Sequence, residues 1–361
     1  NFTSLRRMFF AVALATGSLS LTSCDDDNSA PSGEFAENAV LVSNEGNFNA
    51  GNASASYINR NTGKAQNNIF SRANNEMLLG DVLQSVATHG DRAFLVLNNS
   101  QKVSVVNANT FVAEGEIAPL EMPRYFVALN NDKGYVTEWV TFSGNGRVAV
   151  VDLSTYTVTK TIEVGVNPEK MALTGGKLYV VNKGGNTVSV INTTTDALET
   201  TITVTAEPNS LVVDRSNTLW VMSNGAKVVS DWPNYDAEQS KPAVLTKINP
   251  STNTVVGTFP FNNNIADAHS LTTNGAKDKL YYVYNNKVYQ QDISSTALAA
   301  TPLINRKTNF NAIGVDPENG FIYQAKSTGY TTDGWVVRFN NAGRAVDSVQ
   351  VGIAPNGFSF R

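Results

Sequence analysis

The sequence predicts an all-β fold, a seven-bladed β-propeller whose first blade is closed by the C-terminal strand. Three observations carry that expectation. First, seven times a short strand-like stretch closes on Asn or Asp, at Asn59, Asn107, Asp152, Asn192, Asn249, Asp292 and Asn340. The gaps between successive closures are 48, 45, 40, 57, 43 and 48 residues, and a four-stranded blade takes ~40–50 residues. Second, each period divides into four short strands. In the unit from Asn167 to Val204 these are Met171 to Leu173, Lys177 to Asn182, Thr187 to Asn192 and Leu198 to Val204. The Gly175-Gly176 pair between the first two suits a tight hairpin. The closing Asn or Asp suits the next turn, because its side chain can accept from the backbone two residues on. Third, the first unit lacks an inner strand, since Val40 to Asn44 already reads as a second strand. The orphan segment Pro355 to Phe360 at the other end has the inner-strand pattern. Pairing the two closes the ring and removes two exposed sheet edges.

Composition agrees. Hydrophobic residues make up 42% of the 361-residue chain and charged residues 16%, ordinary for a globular protein rich in strands and polar turns. A formal charge of -4 provides no basic patch, which argues against nucleic acid as a partner.

The beginning of the chain carries a second signal. Arg6 and Arg7 form a basic segment, the apolar run Met8 to Ala15 follows, and Leu21-Thr22-Ser23-Cys24 matches a bacterial lipobox. Residues 1–23 are therefore expected to be a lipoprotein signal peptide, too short to span a bilayer as a helix. Cys24, the only cysteine in the sequence, is the expected lipidation site. The run Asp25-Asp26-Asp27 opens an acidic tether over 24–35, and residues 36–361 form the propeller domain. The acidic run resembles the surface-export signal of Bacteroidota lipoproteins, which implies an outer-membrane, lipid-anchored, cell-surface location. A solvated linker is the alternative reading.

Candidate ligand contacts come from aligning the inner strands on their first apolar residue. The positions two residues earlier are Gln84, Arg124, Glu169, Asn209, His269, Asn311 and Asn356, and all seven are polar. Inner strands line the central channel of a propeller, so this ring is expected at a channel mouth, where convergent hydrogen bonds can hold a small molecule. Strand starts near solvent are polar in any case, which is the alternative explanation. Connections leaving the second strands share that face. They bring Phe48 in the first blade and Trp139 in the third. Trp232 and Tyr235 lie on an insertion in the fifth, and Tyr330 lies in the seventh. Aromatic groups on long loops have no core to fill, and loops on a rigid scaffold are where binding concentrates.

Catalytic patterns are sparse. The two histidines, His89 and His269, lack metal-ligand spacing, and no Gly-x-Ser-x-Gly elbow occurs. Glu169, Asn209 and Asn311 imitate the calcium ligands of some propeller hydrolases, but Arg124 in the same ring places a fixed cation beside any metal. The chain is read as a non-enzyme with no bound metal and no cofactor.

The repeat Lys-Leu-Tyr-Val-Val-Asn…Asn-Thr-Val-Ser-Val-Ile-Asn at 177–192 resembles the YncE-type propellers. The segment Val42 to Phe48, followed by Asn52-Ala53-Ser54, is similar to a group of Bacteroidota surface lipoprotein propellers that includes the BtuG-type cobalamin-capturing proteins. That resemblance extends from about residue 38 to the end. It implies a surface lipoprotein that captures cobalamin or another corrinoid as a bound ligand and passes it to a TonB-dependent outer-membrane transporter. A propeller that binds a glycan or a protein at the cell surface is the competing expectation.

Overall fold

The computed structural model describes residues 33–306 and 311–361. The signal segment 1–23, Cys24, the three aspartates and the tether as far as Ser32 lie outside the described residues. Seven antiparallel blades follow one another around a ring. Blade 1 is ordered Pro355–Phe360, Ala39–Asn44, Ser54–Asn59, Ala65–Gln66, so the last strand of the chain is its inner strand. The register sets Phe360 opposite Val40 and Phe358 opposite Val42, the closure expected from the orphan segment.

Blades 2, 3, 4, 5 and 7 each have four strands in meander order, with inner strands Leu83–His89, Pro123–Ala128, Pro168–Thr174, Pro208–Val213 and Ala312–Val315. Blade 6 departs from the four-strand expectation. It contains Ala268–Thr273, Lys279–Tyr284 and Lys287–Asp292, and a single bridge from Val288 to Ile304 stands where an outer strand would pair. Residues 293–303 carry no run of alternating apolar side chains to hold such a strand against its neighbour. The insertion in blade 5 forms its own small hairpin, Val229–Asp231 against Asn234–Tyr235.

The core is distributed between blades. Among the described residues seven buried apolar clusters occur, and each takes side chains from two adjacent blades. One joins Tyr135 and Val148 of blade 3 to Leu178 and Val180 of blade 4. Another joins Tyr323 and Val336 of blade 7 to Val40 and Val42 of blade 1. Fully buried tyrosines on the second strands also latch forward. Tyr135 donates to Asp196 Oδ1 of blade 4 at 2.7 Å, and Tyr179 donates to the Pro250 carbonyl of blade 5 at 3.0 Å.

Local turn chemistry follows the repeat. Asn59, Asn107, Asp152, Asn192, Asn249 and Asn340 each accept from the backbone N–H two residues on, at 2.8–3.1 Å. Gly175 and Gly176 occupy φ +58 and +72, the left-handed pair that a two-residue hairpin turn requires. The packed unit starts earlier than residue 36. Phe35 is 3% exposed and stacks edge-on with Phe111 at 5.6 Å, so residues 33–35 belong to the folded domain and not to a tether.

Candidate functional site

All seven residues of the predicted ring line one cavity of about 750 Å³ at the start of the inner strands. Glu45, Lys183 and Asn224, from the second-to-third-strand connections of blades 1, 4 and 5, line it as well, which identifies the face on which it opens. Most of the ring is already engaged, and the engagements run from one blade to the next. Asn356 of blade 1 donates to the Gln84 carbonyl of blade 2 at 3.0 Å and to Glu45 Oε1 at 2.8 Å. Gln84 donates to the Tyr125 hydroxyl of blade 3 at 3.5 Å. Arg124 of blade 3 pairs with Glu169 of blade 4 at 3.0 Å, and Asn209 of blade 5 donates to the Ala268 carbonyl of blade 6 at 2.8 Å. These side chains tie the blades together at the channel mouth, a role that their polarity alone did not announce.

Two ring members keep free capacity. Asn311 is exposed, and among the described residues it bonds only through its backbone N–H, to Ala325. His269 contacts the neighbouring Ser270 hydroxyl through Nδ1 at 2.9 Å. Burial pushes the His269 imidazole down to about 4; Asp267 opposes that shift, while Lys170 and Lys183 add to it. The imidazole is therefore neutral at pH 7, and its accessible part faces the channel.

The cavity is more charged than the ring positions alone indicate. Lys170, Tyr125, Lys183, Glu207 and Asp267 line it, and none of them is a ring position in the alignment. Lys170 and Tyr125 directly follow ring residues, and a strict two-residue alternation turns such positions into the blade. The inner strands of blades 2 to 6 break that alternation at this place. Their registers shift between Leu83 and Ser85, Pro123 and Phe126, Pro168 and Met171, Pro208 and Ser210, and His269 and Thr272. A β-bulge re-aims a side chain, so consecutive residues here reach the channel.

The aromatic candidates do not converge with the ring. Phe48, Trp232 and Tyr330 are 69%, 75% and 67% exposed on loops of blades 1, 5 and 7. Tyr235 is half-buried in the blade 5 hairpin. Trp139 lies under Arg124, whose guanidinium sits 4.2 Å from the ring centroid, and it props the Arg124–Glu169 pair. None of the five lines the cavity. The second-to-third-strand connections of blades 1, 3, 5 and 7 are long, whereas those of blades 2, 4 and 6 are tight turns. With Glu169 held by Arg124, the carboxylate of the calcium-like trio is already paired. Among the described residues no group of three or more His, Cys, Asp or Glu side chains is placed to hold a metal ion.

A family model for a domain of unknown function (DUF5074) matches residues 38–360. No curated protein matches the chain. Solved structures resemble it in fold. A quinonprotein alcohol dehydrogenase-like protein from Bacteroides thetaiotaomicron aligns with TM-score 0.67 at 12% identity, covering 90% of this chain and 78% of that one. Hydrazine synthase from Kuenenia stuttgartiensis aligns with TM-score 0.62 at 17% identity, over 75% and 87%. Streptogramin B lyase aligns with TM-score 0.56 at 12% identity, over 74% and 82%. At these identities the likeness establishes the propeller fold and leaves the chemistry to the site itself.

Proposed function

The chain belongs to the DUF5074 family, and on that premise we propose that it captures a large polar small molecule without chemically altering it. The leading ligand is cobalamin or another corrinoid. The observation that carries this reading is a cavity of about 750 Å³ lined by the starts of all seven inner strands, on the face from which the long second-to-third-strand connections of blades 1, 3, 5 and 7 leave. A corrinoid ring with peripheral amides is too large for a space of 750 Å³. It fits a two-level site, with its plate against Phe48, Trp232 and Tyr330 and a substituent reaching toward Asn311 and the channel. The proposal includes a lipid anchor on Cys24, display at the cell surface behind the acidic run, and transfer of the ligand to a TonB-dependent transporter.

Calorimetry tests the ligand. Residues 33–361, which form a closed ring with their own cores, are expected to bind cyanocobalamin at one site. Affinity should fall for Trp232→Ala and Asn311→Ala and stay unchanged for His89→Ala, which lies at the far end of an inner strand and contacts Asn131. Absence of heat and of co-elution removes the corrinoid. It would favour a glycan instead, for which a neutral hollow of about 610 Å³ lined by Asn262, Asn263, Asn264, Asn285, Tyr284 and Tyr289 offers amide and hydroxyl partners. The anchor is tested separately. Cys24→Ala should release the protein from the membrane fraction, since among the described residues no helix is long and apolar enough to cross one. Retention of the variant in membranes refutes the anchor.

A further inference from the structure

We propose that Lys170 and Lys183 of blade 4 form an anion subsite in the channel mouth that takes a phosphate ester group of the ligand. The inference deepens the capture reading above and rests on it for the rest of the ligand. Both lysines line the cavity. Among the described residues neither side chain makes an ion pair or a hydrogen bond; Lys170 Nζ has only the Tyr125 ring, at 5.9 Å from its centroid. The four carboxylates that line the cavity are each held by another side chain, although a hydrogen bond from a neutral amide orients a carboxylate without cancelling its charge. Glu169 is held by Arg124 at 3.0 Å, and Glu45 accepts from Asn356 at 2.8 Å. Glu207 and Asp267 share the Asn224 amide, at 3.1 and 3.3 Å.

Lys170 is half-buried at the wall of the cavity. Burial lowers the affinity of its ammonium for the proton, and Glu169 only partly restores it. An anion beside this half-buried ammonium adds to the partial compensation that Glu169 already gives it. His269, neutral at pH 7, contributes a hydrogen-bonding edge and no opposing charge.

The donor set discriminates between anions. Planar carboxylates are best recognised by the fixed fork of an arginine, whereas lysine is a compact point charge suited to phosphate oxygens approached from several directions. Among the described residues the only arginine lining the cavity, Arg124, is committed to Glu169 and Trp139. What remains open is a lysine pair with a neutral imidazole, the arrangement that favours a phosphate group.

The two histidines make the test internal. His269 lines the cavity, while His89 sits at the far end of an inner strand against Asn131 at 2.9 Å. In nitrogen-15 spectra of the 33–361 domain at constant ionic strength, millimolar glycerol phosphate and inorganic phosphate should each shift the His269 imidazole resonances. The same additions should leave His89 in place, and succinate should shift neither. Lys183→Gln, at an exposed turn, should weaken the response about tenfold, and Lys170→Met should do the same. An equal response to succinate, a response to inorganic phosphate but not to the ester, an equal shift at His89, or a response that survives Lys183→Gln each overturns the assignment. The outcome is separable from the corrinoid question. Phosphate binding without cyanocobalamin binding retains the subsite and discards the corrinoid, and the reverse discards the subsite alone.

Discussion

Removal of residues 354–361 is expected to abolish the cooperative unfolding transition of the domain. The lost segment is the inner strand of blade 1, paired with Ala39–Asn44 along its length. Phe358 and Phe360 stack on each other and pack against Tyr323 of blade 7 at 6.0 and 5.5 Å. Both are half-buried because they also face the channel, so each contributes roughly 1–2 kcal/mol, less than a fully buried phenylalanine. Asn356 adds its bonds to blade 2, and the Arg361 N–H donates to the Ala39 carbonyl at 2.9 Å. Deletion also bares the edges of two blades. The sum is comparable with the ~5–15 kcal/mol by which domains are usually stable. Thermal melts followed by circular dichroism check this. A truncated domain that melts cooperatively within about 4 °C of the intact one would falsify the closure, because a loss of about 3 kcal/mol already produces such a shift in a domain of this length.

The same seam holds the second large effect. Arg60, at the end of the third strand of blade 1, is 3% exposed, and its Nε lies 3.4 Å from Oδ2 of fully buried Asp316 in blade 7. It also pairs with exposed Glu318 and donates to the Arg361 carbonyl. Asp316→Asn keeps the shape and the acceptor for the Glu318 N–H while removing the charge. It is expected to cost about 2 kcal/mol, since Arg60 loses its buried partner and keeps only the exposed Glu318. Arg60→Met should also destabilise, and the double variant should lose at least ~1 kcal/mol less than the two singles together. Denaturant titration of the four proteins measures the coupling. Additive costs would show that the pair contributes nothing as a pair.

How far the sequence could be read depended on periodicity. The blade count, the strand order and the closure were legible because an alternating strand and its turn residues repeat every 40–57 residues, and repetition averages out local noise. The outer edge of blade 6 was not, because its pairing reduces to the one bridge between Val288 and Ile304. Phe35 was missed for a related reason. A single aromatic after Pro31-Ser32-Gly33 has no period, and only the fold reveals Tyr57 and Phe111 as its neighbours. In the site, Gln84 through Asn356 could be placed at the mouth, yet their use as inter-blade ties depends on distances between blades that spacing does not encode. Lys170 and Tyr125 stayed hidden because bulges suspend the two-residue rule at the point where it would have assigned them. The signal was present in the prolines that precede them by two positions, Pro123 and Pro168, since proline is at home in bulges and strand starts.

Those bulges separate two demands that one residue would otherwise have to meet. In blade 4 one side chain secures the neighbouring blade and the next reaches into the open space: Glu169 pairs with Arg124, and Lys170 beside it lines the cavity. A change at the second position alters what the mouth recognises and leaves the ties around the ring intact. Propellers built this way can exchange their cargo over evolutionary time by single substitutions, while the assembly of the wheel stays under independent selection.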